Sequence, residues 1–113
     1  MRTLIHPARE DISLETVLYA LSDPLRLGIV AQLASTSEEI SCTQCYDEAS
    51  TAKSTISHHF RVLREAGITR TTPHGRQLMI TLRREDLEAR FPGLLDPILH
   101  AYHASRSEEV ALS

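Results

Sequence analysis

The sequence predicts a mainly α-helical domain with a small β-hairpin, and two observations carry this prediction. The first is an amphipathic helix at residues 53–67, KSTISHHFRVLREAG, in which apolar residues recur at helical spacing and Gly67 marks the C-terminal end. The second is a pair of β-type segments, residues 68–72 and 77–82, separated by the turn-forming sequence Pro73-His74-Gly75-Arg76. A helix of this kind followed by a basic hairpin is typical of a winged helix-turn-helix.

The predicted helix at residues 53–67 has two different faces. Ile56, Phe60 and Leu63 form an apolar stripe that must pack inward, and His59 lies beside it as a hydrogen-bonded packing residue. The opposite face carries short polar side chains followed by arginines, which suits a DNA major groove, where small polar groups reach base edges and cations neutralise phosphates. The residues predicted to contact DNA, including three at the hairpin, are Lys53, Ser54, Thr55, Ser57, His58, Arg61, Arg64, His74, Arg76 and Gln77.

The formal net charge of −3, taken alone, argues against a nucleic-acid binder, but its distribution argues for one. Residues 53–84 contain seven Lys and Arg and a single acid, Glu65, whereas the rest of the chain contains five basic and fourteen acidic residues. Because exposed charges are screened beyond about 8 to 10 Å at physiological salt, the local surplus decides what this surface attracts.

The segments before this helix are also predicted to be helical. Apolar residues between 14 and 21 indicate a first helix capped by Asp11 or Ser13. Asp23 and Pro24 then form a strong helix start, and the second helix, residues 25–34, is apolar on most sides and is expected to be central. A short third helix is expected at residues 40–48, as the positioning half of the helix-turn-helix.

Two helical pieces are predicted after the hairpin, because Pro92 and Gly93 interrupt the pattern. They are a short turn at residues 86–90 and a last helix from about Gly93 to His103. The last helix has a strong apolar stripe, which a terminal helix normally buries against a second copy of the chain. The stripe residues of the last helix, predicted to lie at a dimer interface, are Leu94, Leu95, Ile98, Leu99 and Tyr102.

A chain of 113 residues corresponds to one domain. We expect an N-terminal arm at residues 1–12 that is loose or draped over a partner subunit, a winged helix-turn-helix domain at residues 13–103, and a flexible tail at residues 104–113. Since no apolar run is long enough to cross a bilayer and the N-terminus lacks a signal-peptide core, we expect a cytoplasmic protein without a membrane partner.

Two segments resemble one protein family. TISHHFRVLREAGITR, residues 55–70, resembles the recognition helix and the start of the wing in ArsR-type bacterial repressors, and ALSDPLRLGIVAQLA, Ala20–Ala34, is similar to the second helix of that family. The likeness covers roughly residues 14–103. It implies a homodimer built by the first and last helices, which binds a palindromic double-stranded DNA operator as a transcriptional regulator, most often a repressor. The resemblance thereby adds Leu14, Val17 and Leu18 of the first helix to the predicted dimer interface.

Cys42 and Cys45, in SCTQCYDE, form a Cys-x-x-Cys pair that suits a metal half-site, a redox pair or two residues without a chemical role. Many metal-sensing relatives of the ArsR type carry a Cys-x-Cys-Asp pattern on the third helix. When the sequences are aligned from the Ser57-His58 pair, the two cysteines do not coincide with that pattern. We therefore expect one buried core residue and one partly exposed residue.

Asp86, Glu88, His100 and His103 are a second candidate metal set, because some zinc-sensing relatives place an Asp-x-His pair and a His-x-x-His pair on antiparallel last helices across the dimer. The spacing differs here and Pro92 interrupts the helix, so the sequence predicts no metal and no cofactor. It also lacks the nucleophile elbow, phosphate loop and His-Glu-x-x-His patterns of common enzyme classes, and an enzyme is not predicted.

Three functions remain open after this comparison. The first is a DNA-binding transcriptional regulator. The second is the same fold acting as a sensor of thiol redox state or metal, through Cys42 and Cys45 or through the histidine set, with any small-molecule or metal effector unidentified. The third is a winged-helix module that binds protein and no longer binds DNA.

Overall fold

The computed structural model describes residues 4–45 and 52–112, with side chains up to residue 107. This part of the chain contains five α-helices and three short strands. They are α1 (Leu14–Leu21), α2 (Pro24–Ala34), β1 (Ile40–Ser41), α3 (Lys53–Glu65), β2 (Thr69–His74), β3 (Gln77–Leu82), α4 (Arg84–Arg90) and α5 (Leu95–Leu112). Short 3₁₀ helices at Arg9–Asp11 and Cys42–Cys45 complete the pattern. The predicted fold class, helices with a small β wing, is confirmed.

The starts of the first two helices are set by their capping residues. The hydroxyl of Ser13 accepts a hydrogen bond from the backbone N–H of Thr16 at 3.3 Å. The carboxylate of Asp23 accepts from the backbone N–H groups of Leu25 and Arg26 at 2.9 and 3.1 Å. Such caps satisfy N–H groups that have no partner inside the helix, and each contributes about 1 kcal/mol. The predicted second-helix start and the predicted Ser13 cap are both confirmed.

Helix α2 lies at the centre of the core, as its apolar sequence predicts. Ile29, Val30 and Leu33 are completely buried, and α2 packs against α1, α3, α5 and the sheet. Among the described residues, no single helix is long and apolar enough to span a membrane, and α1 and α2 meet that test only as a pair bent by 101°.

Helix α3 buries one face and ends at a glycine. Ile56, Phe60 and Leu63 lie in the core, where each apolar side chain contributes roughly 1.5–3 kcal/mol. Gly67 has a φ of +82°, and a Cβ at this position would lie 2.5 Å from Cγ1 of Ile12. Glycine is therefore required here both for the left-handed backbone and for the close approach of the N-terminal segment.

The hairpin forms as predicted, with tighter bounds. Strands β2 and β3 are antiparallel, Thr71 is opposite Ile80, and His74 is the last residue of β2, opposite Gln77. Gly75, with a φ of +62°, and Arg76 form the two-residue turn. The basic side chain of Arg76 therefore lies at the tip of the wing.

The predicted third helix at residues 40–48 is wrong in its first part. Ile40 and Ser41 form β1, which pairs with Ile80 and Met79 of β3, so the sheet order is β1-β3-β2. A 3₁₀ helix follows at Cys42–Cys45, and residues 46–48 lie outside the described part of the chain. The free edge of β3 supplies backbone hydrogen-bond partners to Ile40 and Ser41, and this tertiary pairing overrides the local helical pattern.

Residues 4–12 of the predicted N-terminal arm pack on their own chain, so this part of the arm is not loose. Ile12 is 1% exposed and lies against Gly67. The backbone N–H of Thr71 donates to Nε2 of His6 at 3.0 Å, and Arg83 donates to the carbonyl of Pro7 at 2.8 Å. Burial of Ile12, together with these two bonds, anchors the arm beside the wing.

Helix α5 begins at Leu95, after the predicted break at Pro92 and Gly93. Gly93 has a φ of +75°. It continues to Leu112, well beyond the predicted end at His103, and it includes residues predicted to form a flexible tail. The sequence from Ala104 to Leu112 contains no glycine or proline and includes strong helix formers, so nothing local ends the helix earlier.

Candidate nucleic-acid interface

The polar face of α3 is open to solvent, on the side opposite Ile56, Phe60 and Leu63. Helix geometry produces this division, because the buried residues recur every three or four positions and leave the intervening ones outside. The outward side chains bear hydroxyl, imidazole, ammonium and guanidinium groups. The exposed residues of this face are Lys53, Ser54, Thr55, Ser57, His58 and Arg61.

His58 and Arg61 contact each other on this face. Nη2 of Arg61 lies 3.3 Å from Nδ1 of His58, one helical turn apart. Because a guanidinium only donates hydrogen bonds, this contact requires Nδ1 of His58 to accept, which leaves its Nε2–H facing outward as a donor. A donor of this kind suits the acceptor atoms that purines present in the major groove.

Arg64 differs from the other predicted DNA contacts. It is half-buried, and its Nε is enclosed and has no hydrogen-bond partner among the described residues. Its positive charge acts on the neighbouring His6 and Cys42, where it favours the neutral imidazole and the thiolate. The structure therefore places Arg64 at the inner edge of the exposed face, facing the arm and the 3₁₀ helix.

The wing presents His74, Arg76 and Gln77 at its exposed tip. Nε2 of His74 lies 3.3 Å from a carboxylate oxygen of Glu39, a contact that becomes an ion pair when the imidazole is protonated. Leu78 is also exposed, which is unusual for a large apolar side chain in a strand.

Helix α3 and the wing line one cleft. Lys53 and Ser57 from α3 face Arg76 and Gln77 from the hairpin across a cleft. The cleft also includes Thr43 and Leu78, which the sequence did not single out. No sequence signal marked Leu78, because alternation along β3 predicts that it shares a face with the buried Ile80. We name this the α3–wing surface, and its residues are Lys53, Ser54, Thr55, Ser57, His58, Arg61, His74, Arg76 and Gln77.

His59 faces the interior, as predicted. Its Nδ1 lies 3.1 Å from Nη1 of Arg26 and 3.9 Å from a carboxylate oxygen of Asp23. Burial lowers the pKa of His59, and the positive charge of Arg26 lowers it further against the opposing effect of Asp23. The imidazole is therefore held neutral beside a buried arginine.

The two cysteines do not form a reactive or metal-binding pair in this structure. Both thiols are free and buried, and the Cys45 thiol donates to the carbonyl of Ser41 at 3.8 Å. Burial raises the pKa of Cys42 to about 11 and that of Cys45 to about 12. The prediction that one of them is partly exposed is wrong, because the 3₁₀ helix and β3 enclose both.

The predicted acidic and histidine set is not brought together. Asp86 accepts hydrogen bonds from Arg9 at 2.7 Å and Arg83 at 2.8 Å. The bond from Arg9, with help from Arg83 and against burial, lowers the pKa of Asp86. Glu88 accepts from the backbone N–H of Gly93, and His100 and His103 are exposed. Within the described residues, no group of three or more His, Cys, Asp or Glu side chains could hold a metal ion.

The predicted dimer residues divide into three groups by burial. Val17, Leu95 and Leu99 are buried in the core of one chain, whereas Leu94, Ile98 and Tyr102 are half-buried against it. Two others are open, Leu14 at 39% and Leu18 at 45% exposure, and Tyr19 next to them is 60% exposed. Among the side chains that the structure describes, three of the five large exposed apolar residues therefore lie on α1.

Comparison with known proteins supports a regulatory role. A helix-turn-helix domain family matches residues 21–72, from the end of α1 into β2. The uncharacterised HTH-type transcriptional regulator YceK of Bacillus subtilis (strain 168) is 35% identical over 82 residues, which cover 73% of this chain and 82% of YceK. Proteins of this family are transcriptional regulators and not enzymes.

Solved structures show the same architecture. The transcriptional repressor BigR from Xylella fastidiosa has a TM-score of 0.54 at 27% identity, over 75% of this chain and 97% of BigR. An ArsR-like transcriptional regulator from Rhodococcus sp. RHA1 has a TM-score of 0.56 at 20% identity, over 88% of this chain and 87% of that one. The resemblance to the ArsR type is thereby confirmed, and the chain belongs to the HTH-type transcriptional regulators, with the winged helix-turn-helix fold of the ArsR type.

Proposed function

We propose that this protein is a homodimeric repressor that binds a palindromic operator in double-stranded DNA. The observation that carries the proposal is the α3–wing surface, where the exposed Lys53 and Ser57 of α3 line one cleft together with Arg76 and Gln77 of the wing. The repressor role is supported by the similarity to BigR, itself a transcriptional repressor. Such a role belongs in the cytoplasm, where bacterial DNA is located.

The proposed roles of these residues follow from the chemistry of their side chains. Ser57 and His58 are short enough to read base edges, whereas Lys53 and Arg61 hold phosphates. Arg76 holds the backbone from the wing. Arg64, which is half-buried, approaches the backbone only at the inner edge of the helix.

A homodimer places two α3 helices on the same side of the duplex. The exposed apolar residues Leu14 and Leu18 on α1 supply the surface for a partner, and the half-buried Leu94, Ile98 and Tyr102 of α5 are the further predicted contacts. In helix-turn-helix dimers the two half-sites lie about 34 to 36 Å apart, one turn of DNA. A twofold protein of this kind requires a palindromic site.

The test begins with duplexes selected by the protein from a random-sequence library, whose binding is then compared with that of the unselected pool as salt is varied. We expect Arg61→Ala to weaken binding to both DNAs and to reduce the salt slope by about one phosphate contact. We expect Ser57→Ala to lose about 1–3 kcal/mol on the selected duplex alone, because a base contact carries sequence information and a phosphate contact does not.

Arg106→Ala is the matched control, since it removes an exposed charge from α5, outside the α3–wing surface. Equal losses for Arg61→Ala and Arg106→Ala would contradict the assignment of α3 as the DNA-binding helix. A wild-type protein whose retention on DNA is weak and independent of salt would instead favour a winged-helix module that binds protein.

A sensor function is less well supported by the site. Cys42 and Cys45 are buried with raised pKa values, and the candidate histidine set is dispersed. Operator binding compared with and without hydrogen peroxide, and with and without zinc, tests both forms of this alternative.

A further inference from the structure

One buried arginine joins three helices behind the α3–wing surface. Arg26, on α2, is 5% exposed. Its Nε donates to the carbonyl of Ala20 at 2.8 Å, and its Nη2 donates to the carbonyl of Tyr19 at 3.4 Å, both at the C-terminal end of α1. Its Nη1 lies 3.1 Å from Nδ1 of His59, in the middle of α3. The guanidinium is thus the polar connection between α1 and the recognition helix.

The contact with His59 has a defined direction. A guanidinium has no acceptor, so Nδ1 of His59 must accept and the ring proton must be on Nε2. The charged and titratable groups that face His59 are Asp23 and Arg26 from α2 and His58 from α3, with the ring of Tyr19 from α1 lying 5.3 Å from the Arg26 guanidinium. Burial, the positive charge of Arg26 and the neighbouring His58 favour the neutral ring, and only Asp23 favours the charged one.

The Arg26–His59 contact bears on the orientation of α3 more than on the total affinity for DNA. His59 is adjacent in sequence to His58 and two residues from Ser57, and all three are carried by one rigid helix. A rotation of α3 that opens the Arg26–His59 contact therefore moves the base-reading side chains as well. Phosphate contacts tolerate such a shift, because long cationic side chains can follow it, whereas base contacts do not.

We propose that Arg26 is a positioning residue for DNA recognition, which holds α3 through His59 at a fixed angle to α1, the helix offered to the partner subunit. This inference rests on the proposed DNA-binding function and names a residue that orients the DNA-binding helix.

The first experiment uses Arg26→Lys in the full-length protein. Lysine keeps the positive charge, but a single ammonium cannot bond the α1 carbonyls and His59 together. We expect binding to the library-selected duplex to weaken at least about tenfold, within the range of about 5- to 150-fold typical of coupled sites. Affinity for the unselected pool and the salt slope should stay as in the wild type.

The second experiment replaces the acceptor. His59→Gln retains an oxygen that accepts from Arg26, and we expect near wild-type selectivity for the selected duplex. His59→Leu removes the acceptor and should behave as Arg26→Lys does. His103→Gln, on the exposed side of α5, is the matched control and should change nothing.

The pH profile separates positioning from simple packing. As pH falls below 6.5 towards the lowered pKa of His59, protonation removes the Nδ1 acceptor, so the wild-type preference for the selected duplex should decline. In His59→Gln that preference should not depend on this titration, so the difference between the two profiles isolates the effect of His59. Nitrogen NMR of the free protein should show an unprotonated Nδ1 at pH 8.

Two results would overturn the inference: equal losses on selected and unselected DNA for Arg26→Lys and His59→Leu, or identical pH profiles for wild type and His59→Gln at pH values where nitrogen NMR shows His59 protonated. If Arg26→Lys does not fold, the comparison of His59→Gln with His59→Leu decides whether the inference stands. Wild-type protein without salt-dependent DNA binding would instead refute the proposed function, and in that case a protonated Nδ1 of His59 in the free protein would refute the contact separately.

Discussion

Cys42 and Cys45 show how burial changes the chemistry of a side chain. In water a Cys-x-x-Cys pair is available to oxidants and metals, but here apolar neighbours disfavour the thiolate, which is the reactive form. Burial raises the pKa of Cys42 to about 11 and that of Cys45 to about 12, so both are protonated at neutral pH. The pair therefore behaves as part of the core.

A thiol-reactivity measurement checks this conclusion. Raising the pKa of Cys42 from 9.0 to about 11 lowers its thiolate fraction at pH 8 roughly a hundredfold. We expect the native protein to react with an aromatic disulfide reagent at least about a hundredfold more slowly than the urea-unfolded chain. Similar rates in the two states would show accessible thiols and would support a redox sensor.

Gly67 is the residue at which backbone and packing requirements coincide. We expect Gly67→Ala to lower the free energy of unfolding in urea by about 1–3 kcal/mol, because it combines a left-handed φ with a Cβ 2.5 Å from Ile12.

Gly75→Ala is the matched control for that substitution, since it also has a positive φ but has nothing within 4 Å of the added Cβ. Gly75→Ala should lower the free energy of unfolding clearly less than Gly67→Ala. Equal costs would mean that Ile12 moves aside freely and that the arm is not tightly packed.

At the scale of elements, the N-terminal arm serves as an additional layer over the wing. Strand β2 is an edge of the three-stranded sheet, and an edge strand has unpaired backbone N–H groups. His6 satisfies one of them by accepting from Thr71, while Ile12 fills the space beside Gly67. The arm thereby stabilises the hairpin whose tip belongs to the α3–wing surface.

This attachment depends on pH. Burial lowers the pKa of His6, and the charges of Arg70, Arg64 and Arg83 lower it further. Nε2 of His6 accepts the bond from Thr71 only when it is unprotonated. The unfolded chain binds the proton more readily, so the stabilisation is fully present above pH 6.5 and is lost as pH falls from 6.5 towards the lower pKa of the folded state.

Urea unfolding at pH 8 and at pH 5.5 tests this dependence. We expect wild type to lose more stability between these pH values than His6→Gln, in which the amide oxygen accepts from Thr71 without titrating. His100→Gln, which alters an exposed imidazole, should follow the wild type. A parallel loss in His6→Gln would show that the arm is not held by a neutral His6.

At the scale of the whole molecule, the chain separates a charged surface from an apolar one. Lysine and arginine dominate residues 53–84, whereas the large apolar residues left exposed on helices lie on α1 in the described part of the chain. A surface of the first kind attracts DNA and one of the second kind attracts another protein surface. Their separation allows a dimer to form without covering the DNA-binding face.

We expect Leu18→Glu to convert the proposed dimer to monomer and to abolish tight binding to the selected duplex. A twofold interface brings the two glutamates near each other, and juxtaposed like charges cost several kcal/mol. Sedimentation velocity measures the change in oligomeric state.

Leu78→Glu is the matched control, because Leu78 is 46% exposed and Leu18 is 45% exposed. It should leave the dimer intact and weaken DNA binding, since Leu78 lines the α3–wing cleft. A Leu18→Glu protein that remains dimeric would move the interface away from α1.

The sequence by itself determined the elements whose causes are local. The Ser13 and Asp23 caps, the proline after Asp23, the apolar stripe of α3 and the turn at Gly75 all act within a few residues of chain. Helix and hairpin formation depends on such neighbours, so α1, α2, α3 and the wing, as well as the inward side of His59, were predictable. The exposed recognition residues followed from the same periodicity.

Only the tertiary structure decided the features that depend on residues distant in sequence. Ile40 and Ser41 became a strand because β3 offered an edge, and the arm folded back because Gly67 left room for Ile12. The partner of His59 is 33 residues away, on α2. Burial and hydrogen-bond partners are properties of the packed chain, because a side chain's surroundings come mostly from other elements, and no pattern within one segment contains them.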